Sequence, residues 1–522
     1  MSTLDNKGDS RGHAAALDPI IDDPRRRRDI LVAVCIALMA VIAAVSGLNV
    51  AQPPLARDLD ASQTEVLWII NIYAITLAAL LLPLGAVGDR WGRKPVLLAG
   101  LAVFGLANAL AGLAPNAQVM LGARLLSGVG AAMIMPVTLS VITSAFPAEE
   151  RSKGIGIWTA IAGGGGILGM FLSALLVDLL DWRWLFVLPI VLVIVAALMA
   201  LRAVPNSRDT SSYGFDFVGA ALSLLSIVGL IFFLHEGPSQ GWTALATLAA
   251  LTVGLLAGIA FAAWELRHPA PLLDVRFFGR RNLTSGSVTL MTWFGVQAGV
   301  FIVLYPFFQA VLGWSGLMAT LGLMPMALLM MVSSALAPRL ATIAGPRLTM
   351  ACGIALGGLG LVLMALLVSV EGGYPAILPG MIAMGLGMGL SMTPSTEAIT
   401  SSLPREQQGV ASALNDVTRE FGTALGVALL GTVFAAGYAN AVATRLAELP
   451  SDISEAAARG IATALDIAGR QGPDGARLVQ SSREAFVDAW QQSMLAGVVV
   501  MAILLAYILV RGPVGSGRAD PA

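Results

Sequence analysis

Apolar residues in this chain fall in long runs broken by short polar turns, rather than in the 3.6- or 2-residue alternation of half-buried elements. About 20 mainly apolar residues are enough to cross a hydrocarbon core. Windows of that kind recur from 30–52 and 65–87 through 408–437 to 487–510, about fourteen in all. The pattern predicts an all-α integral membrane protein. Composition agrees, with 57% of the 522 residues hydrophobic and 12% charged, against roughly 25% charged in soluble domains.

Basic residues sort the connections into two sets. One set holds Arg25 to Arg28, Arg90, Arg93, Lys94, Arg151, Lys153, Arg202, Arg208, Arg267, Arg276, Arg280, Arg281, Arg339, Arg347, Arg405 and Arg511, while the opposite short loops hold Arg57 and Arg183. Because Lys and Arg resist translocation, both termini are expected in the cytoplasm, which requires an even number of spans. The net charge of −1 changes nothing, since the asymmetry lies across the membrane. Cys35 and Cys352 both fall inside spans, so no disulfide framework is implied. His13, His235 and His268 lie in the tail or at span ends, with no metal, nucleophile or phosphate-binding constellation around them. An enzyme is therefore not expected, and neither is a nucleic-acid partner.

The chain repeats itself. An offset of 257 positions brings Gly128, Gly130, Met135, Ile142, Thr143, Ser144, Pro147 and Glu149 onto identical residues, and pairs Gly88 and Arg90 with Gly345 and Arg347. It also lays Gly165 and Gly169 on Gly422 and Gly426, glycines that suit close helix packing. Spans one to six thus correspond to spans nine to fourteen in the same orientation. Six-helix repeats of this kind place a substrate site at their interface, reached by rocking one half against the other. The expected organisation is a polar tail at 1–29, a six-helix bundle at 30–202, and two inserted helices with a linker at 203–282. A second bundle at 283–510, with an extracellular loop at 438–486, and a tail at 511–522 complete it. The long loop mixes Ala with charges and suggests short amphipathic helices over the outer opening.

Between spans two and three stands LGAVGDRWGRK, residues 84–94. Gly85 lets helix ends approach, Asp89 can cap a neighbouring helix, and Arg90 and Arg93 can pair with acids, which together make a latch that one conformation forms and another breaks. This string is similar to the loop motif of the major facilitator superfamily, and the fourteen spans resemble its drug:proton antiporter branch of multidrug and antiseptic exporters. Arg124 with Gly128 and Gly130 looks like that family's fourth-helix motif, whose Arg the resemblance implicates in proton coupling. An Arg in hydrocarbon costs about 2.5–3.5 kcal/mol or more, so Arg124 must face protein or water.

Three positions depart from the family pattern. Asn49-Val50-Ala51-Gln52-Pro53 is preceded by Ala44 where the exporters usually carry Asp; Gly169-Met170 stands where the fifth span has Gly-Pro; and Met330 stands in the tenth span, where some cation exporters carry an acid. What remains for proton coupling lies in ASALNDVTREFGTALG, beginning at Ala411. Counting from Gln408 at 1.5 Å per residue, Asp416 and Glu420 lie about 12 and 18 Å deep. They share a helix face, with Arg419 placed to neutralise one of them. A proton relay and a structural cluster that pins helices are both open readings, and the sequence does not say which carboxylate carries the proton. Glu397, near the cytoplasmic end of span twelve, is a weaker candidate.

Asn49, Asn71, Trp158, Trp293, Tyr305, Met330 and Met388 are candidate cavity residues, the aromatics for stacking and the methionines for repacking around varied ligands. The expectation is a proton-driven exporter of hydrophobic drugs, with no cofactor beyond the proton gradient, working as a monomer in a bacterial cytoplasmic (inner) membrane. An exporter of an endogenous metabolite, natural product or lipid is the alternative, and a non-transporting sensor a more distant one.

Overall fold

The computed structural model describes residues 20–207, 214–446, 450–470 and 475–513. Its first bundle comprises α1 (Pro24–Asp58), α2 (Gln63–Trp91), α3 (Arg93–Gly112), α4 (Ala117–Ala145), α5 (Ala148–Leu179) and α6 (Trp184–Ala203). The inserted pair is α7 (Phe217–Gln240) and α8 (Leu245–Glu265). The second bundle contains α9 (Arg281–Pro306), α10 (Gly316–Ala344), α11 (Pro346–Leu367), α12 (Gly373–Thr400), α13 (Gln408–Arg445) and, after two short helices α14 (Ser451–Ala458) and α15 (Ile461–Arg470), α16 (Gly475–Arg511). Among the described residues 14 helices are long and apolar enough to cross a membrane. With 14 alternating spans, the beginning of α1 and the end of α16 share one face, called here the termini face.

Polar residues set the helix ends. Ser62 and Glu65 form a reciprocal capping box at the start of α2, and the side chains of Asn116 and Asp216 accept from Val119 N and Gly219 N at the starts of α4 and α7. Single glycines make the turns from α2 to α3 and from α10 to α11. Gly92 at φ 108° and Gly345 at φ 85° adopt a backbone that side-chain-bearing residues avoid.

The repeat seen in the sequence is also a repeat of packing. In the first bundle α3 packs on α4 and α6, α2 on α4, and α1 on α5 and α6; in the second, α11 packs on α12 and α16, α10 on α12, and α9 on α13 and α16. The bundles meet along α2 with α13 and along α5 with α10, which are equivalent pairs. Helix α7 lies against both α2 and α13, where Ile227 and Ile231 join Ile75 and Ala78 in one apolar cluster.

Two boundaries differ from the hydropathy reading. The tail drawn to residue 29 ends earlier: Asp23 caps α1 through Arg25 N at 2.9 Å, and Arg27 reaches Ile21 O, Asp22 O and the Glu150 carboxylate at 2.8–2.9 Å. Residues 1–19, and 514–522 of the other tail, lie outside the described residues. The loop drawn at 438–486 shrinks to 446–474, because α13 and α16 continue past their apolar stretches. Arg445 ties the two extensions together through Glu484 at 2.5 Å and Asp488 at 2.7 Å. Helix α14 packs on α13, and α15 on α16 and on a single π-helical turn, Phe307–Val311, so the loop rests on the second bundle's own helices. On the same face Asp58 sits beyond the apolar stretch of α1, and hydrogen bonds from Trp182 and Arg183 hold its carboxyl below the usual carboxylate range.

Backbones approach closely where the repeated glycines lie. A Cβ on Gly426 would fall 1.9 Å from Gly295 O, one on Gly422 2.2 Å from Met291 O, one on Gly169 3.1 Å from Ala43 Cα and one on Gly165 3.1 Å from Met39 Cε. Replacing Gly426 with Ala should lower stability in detergent by about 1–3 kcal/mol through overpacking. Gly122→Ala, where no atom lies within 4 Å, serves as the control and should leave the melting temperature unchanged or slightly raised.

Candidate functional site

Helix α13 carries the densest group of buried ionisable residues. Asp416 is fully buried; its Oδ1 accepts from Arg419 Nη1 and from Asn415 Nδ2, both at 3.4 Å, while Oδ2 has no partner. The Arg419 guanidinium crosses the interface between bundles to donate to Ala162 O of α5 at 3.1 Å, and packs 4.5 Å from the centre of the Phe294 ring and 5.6 Å from that of Trp158. Glu420, one residue on, is partly exposed. It lies within electrostatic reach of Arg419, Asp416 and, across the interface, Tyr73 of α2. Arg419 is thus shared among one carboxylate, one carbonyl and two aromatic faces.

Arg124 of α4 is buried in protein, as the cost of an Arg in hydrocarbon demands. Its Nε donates to Ile69 O at 3.3 Å and its guanidinium lies 4.3 Å over the Tyr73 ring, with Nη1 unpartnered. Tyr73 Oη is buried and unpartnered too. Tyr73 therefore stands between the first bundle's buried cation and the second bundle's Glu420. Nothing in the residue pattern marks this role, since an aromatic on an apolar helix face looks like packing until the facing helix is known.

At the termini face the latch is formed. Asp89 at the end of α2 accepts from Gly409 N at 2.8 Å and Val410 N at 3.0 Å, backbone donors in the first turn of α13, and from Arg93 Nη2 at 2.9 Å. A carboxylate on a helix N-terminus satisfies orphan N–H groups and meets the positive end of the helix dipole. A Cβ on Gly85 would lie 2.6 Å from Gly409 O, so glycine is what allows α2 and α13 to touch. Arg93 Nη2 also donates to Arg405 O at 3.3 Å. Arg90 is half-buried and lines a cavity of about 350 Å³ with Asp216, Pro271, Glu406 and Gln407.

The cavity candidates separate by burial. Asn71 and Tyr305 are half-buried, on α2 and α9. Trp158 is 1% exposed and donates to Thr138 Oγ1 at 3.0 Å, so it is a wall beneath Arg419 rather than a free stacking face. Trp293 lies inside the second bundle, against Gly357 of α11, and Met388 is buried in the core. The reading of Trp293 as a cavity residue is corrected for this conformation, because α9 turns it toward its own bundle, whereas Met388 lies one helical turn from Met392, whose methyl approaches Gly163 of α5. Met330 is buried against Gly163 where α10 meets α5. Asn49 is on α1, its side chain outside the described residues.

Comparison with known proteins fixes what this architecture is. The Major Facilitator Superfamily model matches residues 34–427. The chain belongs to the Major Facilitator Superfamily. It is 33% identical over 475 residues to the multidrug efflux pump LfrA of Mycolicibacterium smegmatis, covering 90% of this chain and 92% of that one. It is 29% identical to the methyl viologen resistance protein SmvA of Salmonella typhimurium, over 92% and 97% of the two chains. It is 32% identical to the cephamycin export protein CmcT of Amycolatopsis lactamdurans, over 78% and 85%. In fold it resembles the human organic anion transporter MFSD10, with TM-score 0.61 at 14% identity over 91% and 99% of the chains. A bacterial homologue of the lysosomal transporter Spinster, crystallised inward-facing and unoccupied, gives TM-score 0.58 at 17% identity over 94% and 98%. This superfamily member is a multi-pass membrane transporter of small molecules and not an enzyme.

Breaking a buried ion pair by removing one partner typically costs about 3–5 kcal/mol, because the other charge is left uncompensated. Asp416→Asn should therefore destabilise the protein, and Asp416→Asn with Arg419→Met should recover part of the loss. Thermal unfolding of the two single variants and the double variant in detergent measures that coupling.

Proposed function

We propose that this transporter exports hydrophobic drugs or related small molecules from a bacterial cytoplasm in exchange for protons, by alternating access. The observation that carries the reading is the Asp416, Arg419 and Glu420 group on α13, the helix that packs on its own bundle and on α2, α4 and α7. A carboxylate placed there can take a proton when the space between the bundles opens to one side and release it when it opens to the other. Asp416 is tied to Arg419, whereas Glu420 is partly exposed, which makes Glu420 the group that meets substrate or water first. Arg124 and Tyr73 link the same event to the first bundle.

The termini face is assigned to the cytoplasm by its basic loops. Polar ties between bundles on that side or near mid-membrane include Asp89 with Gly409 and Val410, Arg93 with Arg405, Arg405 with Ser144, Ser152 with Glu397, Ser334 with Gly156 and Arg419 with Ala162. On this assignment the structure is the state closed to the cytoplasm. Inward movement of one proton is worth about 2.3 kcal/mol per 100 mV, enough for a substrate gradient of roughly fiftyfold. With Ala44 and Met330 where related exporters carry acids, neutral or singly charged substrates suit the interior better than dications. The similarity to a cephamycin exporter supports a second reading, export of a natural product, through the same machinery.

Substrate-induced proton release from acidified inside-out vesicles tests the coupling, with a panel of neutral and cationic drugs. Release is expected in the wild type and should be lost in Glu420→Gln and strongly reduced in Asp416→Asn. Transport without any proton release would overturn the antiport reading.

A further inference from the structure

The offset of 257 residues makes a structural demand that the loop motif alone does not meet. Asp89 of the first bundle clamps the start of α13, yet the residue equivalent to Asp89 in the second bundle is Pro346, and the residue equivalent to Arg93 is Met350. The second bundle therefore has no carboxylate in its own version of the loop with which to clamp the start of α5. Without a substitute, only one of the two equivalent interfaces would be clamped by a carboxylate at the termini face.

We infer that Glu397 of α12 is that substitute, a second latch carboxylate that holds the start of α5 to the second bundle. Ser152, near the start of α5, donates its hydroxyl to the Glu397 carboxylate. Ser152 is the residue equivalent to Gly409, the one whose backbone N–H Asp89 receives. Two acids from different helices thus end on the same position of the two repeats. Glu397 is within electrostatic reach of Arg151, next to Ser152, and Arg151 also feels the charge of Arg405. The Nε of Arg151 is buried and unpartnered.

Arg405 joins the two latches. Its backbone O accepts from Arg93, the partner of Asp89, and its own Nη2 donates to Ser144 O at the end of α4 at 3.1 Å, just before α5 begins. The order across the face is Asp89, Arg93, Arg405, Ser144, then Ser152 with Glu397. Every tie in this chain except Asp89 with Arg93 joins a residue of one bundle to a residue of the other, so opening the termini face must break them together. Glu397 also sits at the end of an α12 segment that is otherwise buried, which leaves its carboxylate no role within its own bundle among the described contacts. It acts as a positioning residue for the closed state, and the placement does not depend on proton coupling or on the substrate.

Spin-label distances across the termini face test it. Labels at Trp91→Cys on α2 and Ile343→Cys on α10, both exposed positions, in full-length protein with Cys35 and Cys352 replaced, report the separation of the bundles. Glu397→Ala and the milder Ser152→Ala are each expected to raise the ratio of open to closed populations by about tenfold, the size of one lost charge-assisted hydrogen bond. Asp89→Asn should move the same distances in the same direction. If Asp89→Asn shifts the distribution while both Glu397→Ala and Ser152→Ala leave it as in the wild type, Glu397 is not a latch. If none of the three moves it, the latch description fails at both interfaces. Either result leaves the proton-release assay, and hence the antiport reading, untouched.

Discussion

A charge inside a membrane protein must find its partners in protein, because lipid offers none, and in this transporter several of those partners lie on the opposite bundle. Arg419 needs a carbonyl of α5; Asp89 needs the backbone donors of α13; Glu397 needs a hydroxyl of α5. Each bond that makes burial tolerable is also a bond that motion between bundles must exchange. The cost of an unpaired polar group in a low-dielectric interior turns such contacts into discrete states rather than a continuum.

Rocking requires bundles that stay rigid while the interface between them changes. Glycine backbones supply that rigidity within the second bundle, where Gly295 meets Gly426 and Gly353 meets Gly387 with no room for a side chain. Between the bundles, Gly85 meets Gly409 in the same way, but there the contact is held by charge as well. The inserted pair adds a feature that the repeat does not contain. By packing on α2 and α13 at once, α7 covers one of the two equivalent interfaces, so the bundles are related by symmetry at their core but not in what surrounds them.

Some of the site was legible in the residues. A buried Arg in α4, a carboxylate pair four residues apart in α13 and a charged turn after α2 stand out because ionisable groups in apolar windows are rare and costly. Other parts carried no such mark. Tyr73, Ser152 and Arg405 are ordinary residues for their helices, and their roles come from what faces them. Trp158 and Trp293 misled in the other direction: aromatic side chains suit a binding cavity and a core equally well, and composition does not tell which way a helix is turned.

What the sequence determined by itself was the number of spans, the repeat, the sidedness of basic loops and the identity of the costly charges, all of which follow from local hydropathy and from the one-dimensional order of residues. Helix rotation, the ends of α1, α13 and α16, and every pairing across the interface were decided only by the tertiary structure. The reason is physical. Crossing a bilayer is a property of about 20 consecutive residues, whereas satisfying a buried charge depends on atoms brought together from positions as far apart as Asp89 and Gly409, or Ser152 and Glu397.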